Sequence, residues 1–263
     1  MNNIGYFIYS HSEYDDIWDI CFSRLKKHGM GFDNYYIFTN QVSRDVPDWI
    51  QPKLYTDGPI FTHKLKECLD QIEDDYVIYT HDDNFLKGDV NIDKIEKLKE
   101  ILIEDDLSFI QLIRSGVPVT RFKEHGNDFL DLVDYGKCNL YYLQDDSRQW
   151  VGQPTLWNVE KLKLLLQENL ATASTAKLRG EKIRDLESPE THEWMIRNNI
   201  RGCFYWNADN DTPLPPKNVT FNSDAFPTMN AIRKGKWYLT EHKKDIMNLI
   251  DEFKCDINHR GTI

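Results

Sequence analysis

At 263 residues with a formal net charge of -11, the chain is long enough to bury a substantial core and fits one large α/β domain. Its charge argues against general binding to nucleic acid, whose affinity comes from Lys and Arg neutralising phosphates. Five cysteines, Cys21, Cys68, Cys138, Cys203 and Cys255, contain no pair at zinc-ligand or redox spacing and read as reduced core thiols. No run of about 18 apolar residues occurs, and no charged segment leads into a long apolar stretch at the amino terminus, so the expected setting is the cytoplasm, with no membrane span.

The first half alternates strand and helix. A strand over Ile4 to Tyr9 leads to a helix whose Ile17, Ile20, Cys21 and Leu25 share one face. A second strand follows at Tyr35 to Thr39, then an extended piece around Lys53 to Tyr55 and a helix carrying Leu65, Cys68, Leu69 and Ile72. The run Tyr76-Val77-Ile78-Tyr79 has the continuous apolar character of a strand covered on both faces. Ile92, Ile95, Leu98 and Leu102 mark a helix, and Phe109 to Ile113 a further strand. This βαβ rhythm predicts an α/β fold with a mostly parallel sheet, helices on both faces and right-handed crossovers.

Residues 114 to 150 hold scattered Gly, Asp and Tyr around short β-like pieces such as Leu140 to Leu143, a pattern expected of a loop-rich region over the sheet edge. Asn158 is placed to cap a helix displaying Leu162, Leu165, Leu166 and Leu170. Ser188-Pro189 pairs a capping residue with proline at the first helical position, for a helix running to about Asn198. Between these helices, residues 171 to 187 are expected to be an exposed loop, and Asp211 to Pro216 is a proline-rich turn. Ile246, Leu249, Ile250 and Phe253 make a last amphipathic helix. Asn218-Val219-Thr220 fits a glycosylation sequon, which carries little meaning in a cytosolic chain.

The Tyr76 run stops abruptly on Asp82-Asp83 and resumes with Asn84-Phe85-Leu86. Two carboxylates where a core strand leaves the sheet must be paired or bound to a metal if they are desolvated. Ligands of open α/β sheets sit at the carboxyl ends of the strands, so the pair falls where a substrate would bind. A solvated strand-to-loop turn is the alternative.

Laid out this way, the chain resembles the GT-A glycosyltransferases, and among them a group of small nucleotide-sugar-dependent enzymes of bacteria and large viruses. Four segments carry the likeness, in order and over nearly the whole chain. Tyr9-Ser10-His11-Ser12-Glu13-Tyr14-Asp15-Asp16-Ile17-Trp18 is similar to the family's strand-end loop, which leads into a helix and contacts the nucleotide. Asp82-Asp83-Asn84-Phe85 resembles its Asp-Asp-x-Phe metal motif. Gln153-Pro154-Thr155-Leu156-Trp157-Asn158, followed by Pro189 to Glu193, is similar to a Gln-Pro-x-x-Trp segment and a Pro-x-x-x-Glu element. Lys234-Gly235-Lys236-Trp237 and Ile257-Asn258-His259-Arg260-Gly261 resemble its carboxy-terminal elements. The wider fold carries Asp-x-Asp as its metal motif, whereas here His81 takes the first position and the carboxylates are adjacent, which bears on the number of metal ligands.

The resemblance implies a single GT-A domain over residues 1–263, with a nucleotide-sugar-binding half (1–113) and an acceptor-binding half (114–263), acting on a nucleotide-sugar donor, first of all a UDP-sugar. It implies a carbohydrate or glycan acceptor, a modified DNA base staying open. Mn²⁺ or Mg²⁺, which favour oxygen ligands, match Asp83 with Asp82 beside it. In the family picture the second aspartate holds the ion and the first lies near the donor. His259 is a candidate further ligand or diphosphate partner, or a merely structural histidine. Lys234, Lys236 and Arg260 are candidates to clamp the diphosphate, or form an ordinary basic turn. Ser10, His11 and Tyr14 are placed to hydrogen-bond and stack on base and ribose, though Tyr14 and Trp18 would also serve as helix core. Lys64 and Lys66 read equally as donor contacts or as surface charge. An inverting transfer needs a carboxylate base; Glu193 matches the family position and Glu190, three residues earlier, competes. Gln153 and Trp157 are the acceptor candidates, with core packing the other role for Trp157. A non-catalytic carbohydrate- or nucleotide-binding module of the same fold, and a metal-dependent nucleotidyltransferase, are the competing functions.

Overall fold

The computed structural model describes residues 3–112, 132–138, 140–143, 154–168, 170–171, 184–186, 189–205 and 223–263. In chain order these form β1 (Ile4–Tyr9), a 3-10 turn (Ser12–Ile17), α1 (Trp18–His28), β2 (Asn34–Thr39), β3 (Gln51–Leu54), α2 (Phe61–Leu69), β4 (Tyr76–His81), β5 (Asn84–Leu86), α3 (Ile92–Glu104) and β6 (Phe109–Gln111). They continue with β7 (Leu132–Asp134), β8 (Leu140–Leu143), β9 (Thr155–Asn158), α4 (Val159–Leu166), β10 (Leu170–Ala171), β11 (Arg184–Asp185) and α5 (Pro189–Arg197). The last are β12 (Gly202–Tyr205), β13 (Thr228–Asn230), β14 (Ile232–Arg233), β15 (Lys236–Trp237), α6 (Leu239–Phe253) and the short α7 (Ile257–Arg260).

A nine-stranded sheet runs in the order β3-β2-β1-β4-β9-β6-β12-β8-β7. β9 pairs antiparallel with both β4 and β6, and β8 pairs antiparallel with β12 and β7, while the remaining contacts are parallel. The result is a Rossmann-like mixed sheet in which most strands share one direction. Side chains alternate across it. Ile4, Tyr6, Ile8, Ile37 and Ile78 meet α1, α3 and α6 on one face, and Phe7, Phe38, Val77, Tyr79 and Trp157 meet α2, α4 and α5 on the other. Helices therefore cover both faces, as the apolar runs of β1 and β4 require. Gly202 lets β12 approach β6: a Cβ there would lie 2.4 Å from the Phe109 carbonyl oxygen.

Several elements follow the expected boundaries, and two differ for physical reasons. The Thr155–Asn158 segment, expected only as a motif, is a core strand, because β4 and β6 leave a gap that an antiparallel return fills. Leu170, expected on a helix with Leu162, belongs instead to β10, since the helix ends at Leu166 and Gln167. Asn158 caps α4 as expected, its side chain accepting the Lys161 N–H at 3.0 Å. Ile113, most of residues 114–150 and of 171–187, the Ser188 cap, the Asp211 to Pro216 turn and the Asn218 sequon lie outside the described residues. Among the described residues no helix is long and apolar enough to cross a membrane.

Candidate functional site

The chain leaves β1 through α1 to reach β2 on one side, and later returns to place β4 on the other. The carboxyl ends of β1 and β4 thus flank a topological switch point, the position where open α/β sheets bind ligands. Tyr9 and His81 are register partners, and the Asp82 N–H donates to the Tyr9 carbonyl at 3.2 Å. Ser10 and His11 from one strand therefore meet His81, Asp82 and Asp83 from the other. Acidic pair and amino-terminal loop, far apart in sequence, form one site.

Asp82 is buried, at 5% exposure. The Ser10 hydroxyl donates to its Oδ2 at 2.5 Å and in turn accepts the indole N–H of Trp18 at 2.7 Å. Ser10, expected to touch the donor, is itself buried and positions Asp82 instead. Burial, and then the Asp83 charge, push the Asp82 carboxyl well above the usual carboxylate range, against the Ser10 hydrogen bond and Arg260. Burial likewise raises Asp83 to about 7. His81, in the place of the first aspartate of Asp-x-Asp, is lowered by burial to about 4, which makes it neutral, and shares a 2.6 Å hydrogen bond with Tyr79. Buried Asp82 and half-buried Asp83 thus stand beside a neutral histidine, and the Arg260 charge offsets only part of the cost of ionising them.

The divalent ion implied by the family resemblance fits this donor set. Asp82 and Asp83 offer carboxylate oxygens, and Asn84, buried at 6% exposure, donates its amide N–H to Asp83 Oδ1 at 2.8 Å while its own Oδ1 has no hydrogen-bond donor. Oxygen ligands short of positive charge suit Mg²⁺ or Mn²⁺. Among the described residues no three His, Cys, Asp or Glu side chains converge on a metal position. His259 corrects one expectation accordingly: it is exposed on α7 and lines a cleft with Asp15, Asp16, Asp19, Arg44 and Asp256 instead of joining Asp82 and Asp83.

Arg260, expected to clamp the diphosphate, is held by partners within the chain. Its Nε donates to Asp16 Oδ2 at 2.7 Å, its Nη2 to Asp16 Oδ1 and to the Glu13 carbonyl, and its Nη1 to the Gly235 carbonyl at 3.4 Å. A guanidinium has five N–H donors, so this one is largely committed and fastens the loop after β1 to the carboxy-terminal segment. It also lies 4.5 Å over the Tyr14 ring, a cation–π contact that leaves Tyr14 half-buried at the site's edge. Lys234 and Lys236 are exposed on the β14–β15 hairpin, whose Lys234-Gly235 turn has φ of 52° and 75° and approaches Tyr14.

Around His11 the loop is tied down further. His11 Nδ1 accepts the Glu13 N–H, and Nε2 lies 3.2 Å from Asp57 Oδ2. Asp57 also pairs with Lys64 at 2.6 Å, which holds its carboxyl below the usual range. Lys64 sits 5.4 Å over Tyr55, which stacks on Tyr9 and donates its hydroxyl to the Ser10 carbonyl at 2.8 Å. Lys64 thus belongs to the site's rim, whereas Lys66 pairs with Asp70 on the outer face of α2. Tyr55, Asp57 and Asn84 were missed by sequence reasoning; the ends of β3 and β4 were the available signal.

Trp157 corrects another expectation. It is 2% exposed, packs at 4.6 Å on Phe109, and stands opposite Val77, toward the amino end of β4 and away from the acidic pair. It is core, not an acceptor platform. Gln153 lies outside the described residues, as does the side chain of Glu190. Glu193 is exposed on α5, between the buried His192 and Met195.

No protein-family model matches the chain, and no curated protein matches it. Among solved structures the chain is similar to the bifunctional IspDF from Campylobacter jejuni, at 14% identity and a TM-score of 0.41, over 72% of this chain and 51% of that one. The chain therefore spans about half the length of that protein. The likeness brings no residue role to this chain.

Proposed function

We propose that this chain is a metal-assisted glycosyltransferase of the GT-A type, moving a sugar from a nucleotide-diphosphate donor to an acceptor hydroxyl, with residues 1–113 as the donor half and 114–263 as the acceptor half. The observation that carries the reading is the pair Asp82-Asp83, the first buried and the second half-buried at the switch point beside the loop from Ser10 to Asp16, with both carboxyls raised. A bound Mn²⁺ or Mg²⁺ would neutralise the diphosphate as it leaves.

The chain's own residues do the rest. Asp83, which accepts the Asn84 amide N–H, would hold the ion, and Asp82 is kept in place by Ser10, itself held by Trp18. His11, Tyr14 and the Tyr9–Tyr55 stack wall the side where base and ribose would lie, and Lys234 and Lys236, exposed on the hairpin that approaches Tyr14, are the cations we assign to the diphosphate. Glu193 is the base we favour for an inverting transfer, being exposed and able to receive an acceptor proton. The acceptor is a carbohydrate or glycan.

The test is a panel of nucleotide sugars with Mn²⁺, read by release of sugar and nucleoside diphosphate. Turnover of one donor that falls by about 10²-fold or more in Asp83→Ala supports the reading. No hydrolysis of any nucleotide sugar together with no nucleoside diphosphate binding ends it, and release of pyrophosphate from a nucleoside triphosphate would reassign the chain to nucleotidyl transfer.

A further inference from the structure

Immediately after the acidic pair, β5 leaves the main sheet and pairs antiparallel with β13. Asn84 stands directly opposite Asn230 in that ribbon, and the Ala231 N–H donates to the Asp83 carbonyl at 2.9 Å. Residues opposed in an antiparallel pair project to the same face with Cβ atoms about 4.5–5.5 Å apart. The two amides therefore share one face, one residue beyond Asp83.

Both are incomplete in the same way. Asn84 Oδ1 and Asn230 Oδ1 are each shut off from solvent with no hydrogen-bond donor, although the Asn84 amide nitrogen is used on Asp83. A buried carbonyl oxygen left unsatisfied carries the full cost of its desolvation. Two facing each other beside a carboxylate is an arrangement that a cation relieves, because amide oxygens are ordinary ligands of hard divalent ions.

We infer that Asn230 and Asn84 complete, directly or through bound water, the oxygen shell of the cation held by Asp83, so that this chain has a carboxylate–amide metal site. Asn230 then brings to the site a ligand from a segment 147 positions downstream of Asp83. The neutral amides supply the oxygens that the missing first aspartate would have offered, and His81 is released from that duty. The inference rests on the proposed function only for the presence of the ion.

Mn²⁺ binding to the full chain, with and without UDP, followed by electron paramagnetic resonance of free Mn²⁺, tests it, with the melting temperature of the metal-free protein measured alongside. Asn230→Ala is expected to weaken Mn²⁺ about 5–10-fold, in line with the effect of losing a supporting ligand, while leaving the metal-free melting temperature unchanged or raised. Asn230→Asp is expected to hold or tighten Mn²⁺ and to lower the metal-free melting temperature at pH 8, by adding a third acid. Mn²⁺ binding equal to the wild type in Asn230→Ala overturns the inference while leaving the metal reading intact. A lowered metal-free melting temperature in Asn230→Ala with unchanged Mn²⁺ affinity overturns it too, because the amides then pair with each other. Weaker binding by Asn230→Asp than by Asn230→Ala also counts against it. Absence of Mn²⁺ binding by the wild-type chain removes the metal from the proposed function as well.

Discussion

Asp83 has a carboxyl raised to about 7 by burial, whereas an unfolded aspartate titrates near 3.9. The folded metal-free chain therefore binds a proton that the unfolded chain has given up between these values, and its contribution to stability is fully present below about 4 and lost as pH rises through 7. Metal-free wild-type protein should lose melting temperature between pH 5 and 8, and Asp83→Asn should flatten that slope while abolishing stabilisation by Mn²⁺; a slope unchanged in the variant would mean that Asp83 is solvated. Ser10 bridges Trp18 and Asp82, so Ser10→Ala leaves two buried polar groups unpaired. Denaturant titration should show a loss of roughly 1–3 kcal/mol, together with weaker Mn²⁺ binding. Cys68 and Cys203 are pushed up to about 12 by burial, and a thiol that stays protonated is a poor nucleophile; neither should react with a disulfide reagent at pH 8 in the folded protein.

At the scale of elements, β9 decides what Trp157 does. Wedged antiparallel between β4 and β6, it turns the indole onto Phe109 in the core. Trp157→Ala should cost about 3–5 kcal/mol in denaturant unfolding, while Trp157→Phe should keep UDP affinity and turnover near the wild type; a selective rise in acceptor KM with unchanged stability would restore an acceptor role. Strands β1, β2 and β4 were legible because each is an apolar run ended by a polar turn, and the acidic pair because carboxylates seldom end such a run without a purpose. Ribbon β5–β13 was not, because three residues such as Asn84-Phe85-Leu86 have no period to detect and their partner lies far downstream. Arg260 was legible as a cation but not as a tether, since its committed partners Asp16 and Gly235 come from opposite ends of the sequence.

For the whole molecule, the carboxy-terminal segment closes over the amino-terminal loop. α7 supplies Arg260 to Asp16, and Thr262 pairs with Trp237 beside the Lys234-Gly235 hairpin. Loop and hairpin are thereby one unit at the rim of the switch point, and the net charge of -11 that the whole chain carries would repel a diphosphate unless a cation accompanies it. Nucleoside diphosphate alone should bind weakly and with a steep dependence on divalent ion. The most direct measurement is anomalous diffraction from a crystal soaked in Mn²⁺ and UDP. The account predicts a manganese peak about 2.0–2.4 Å from an Asp83 carboxylate oxygen, bridging to the diphosphate; diphosphate bound with both Asp82 and Asp83 out of contact with it and with any metal would contradict it.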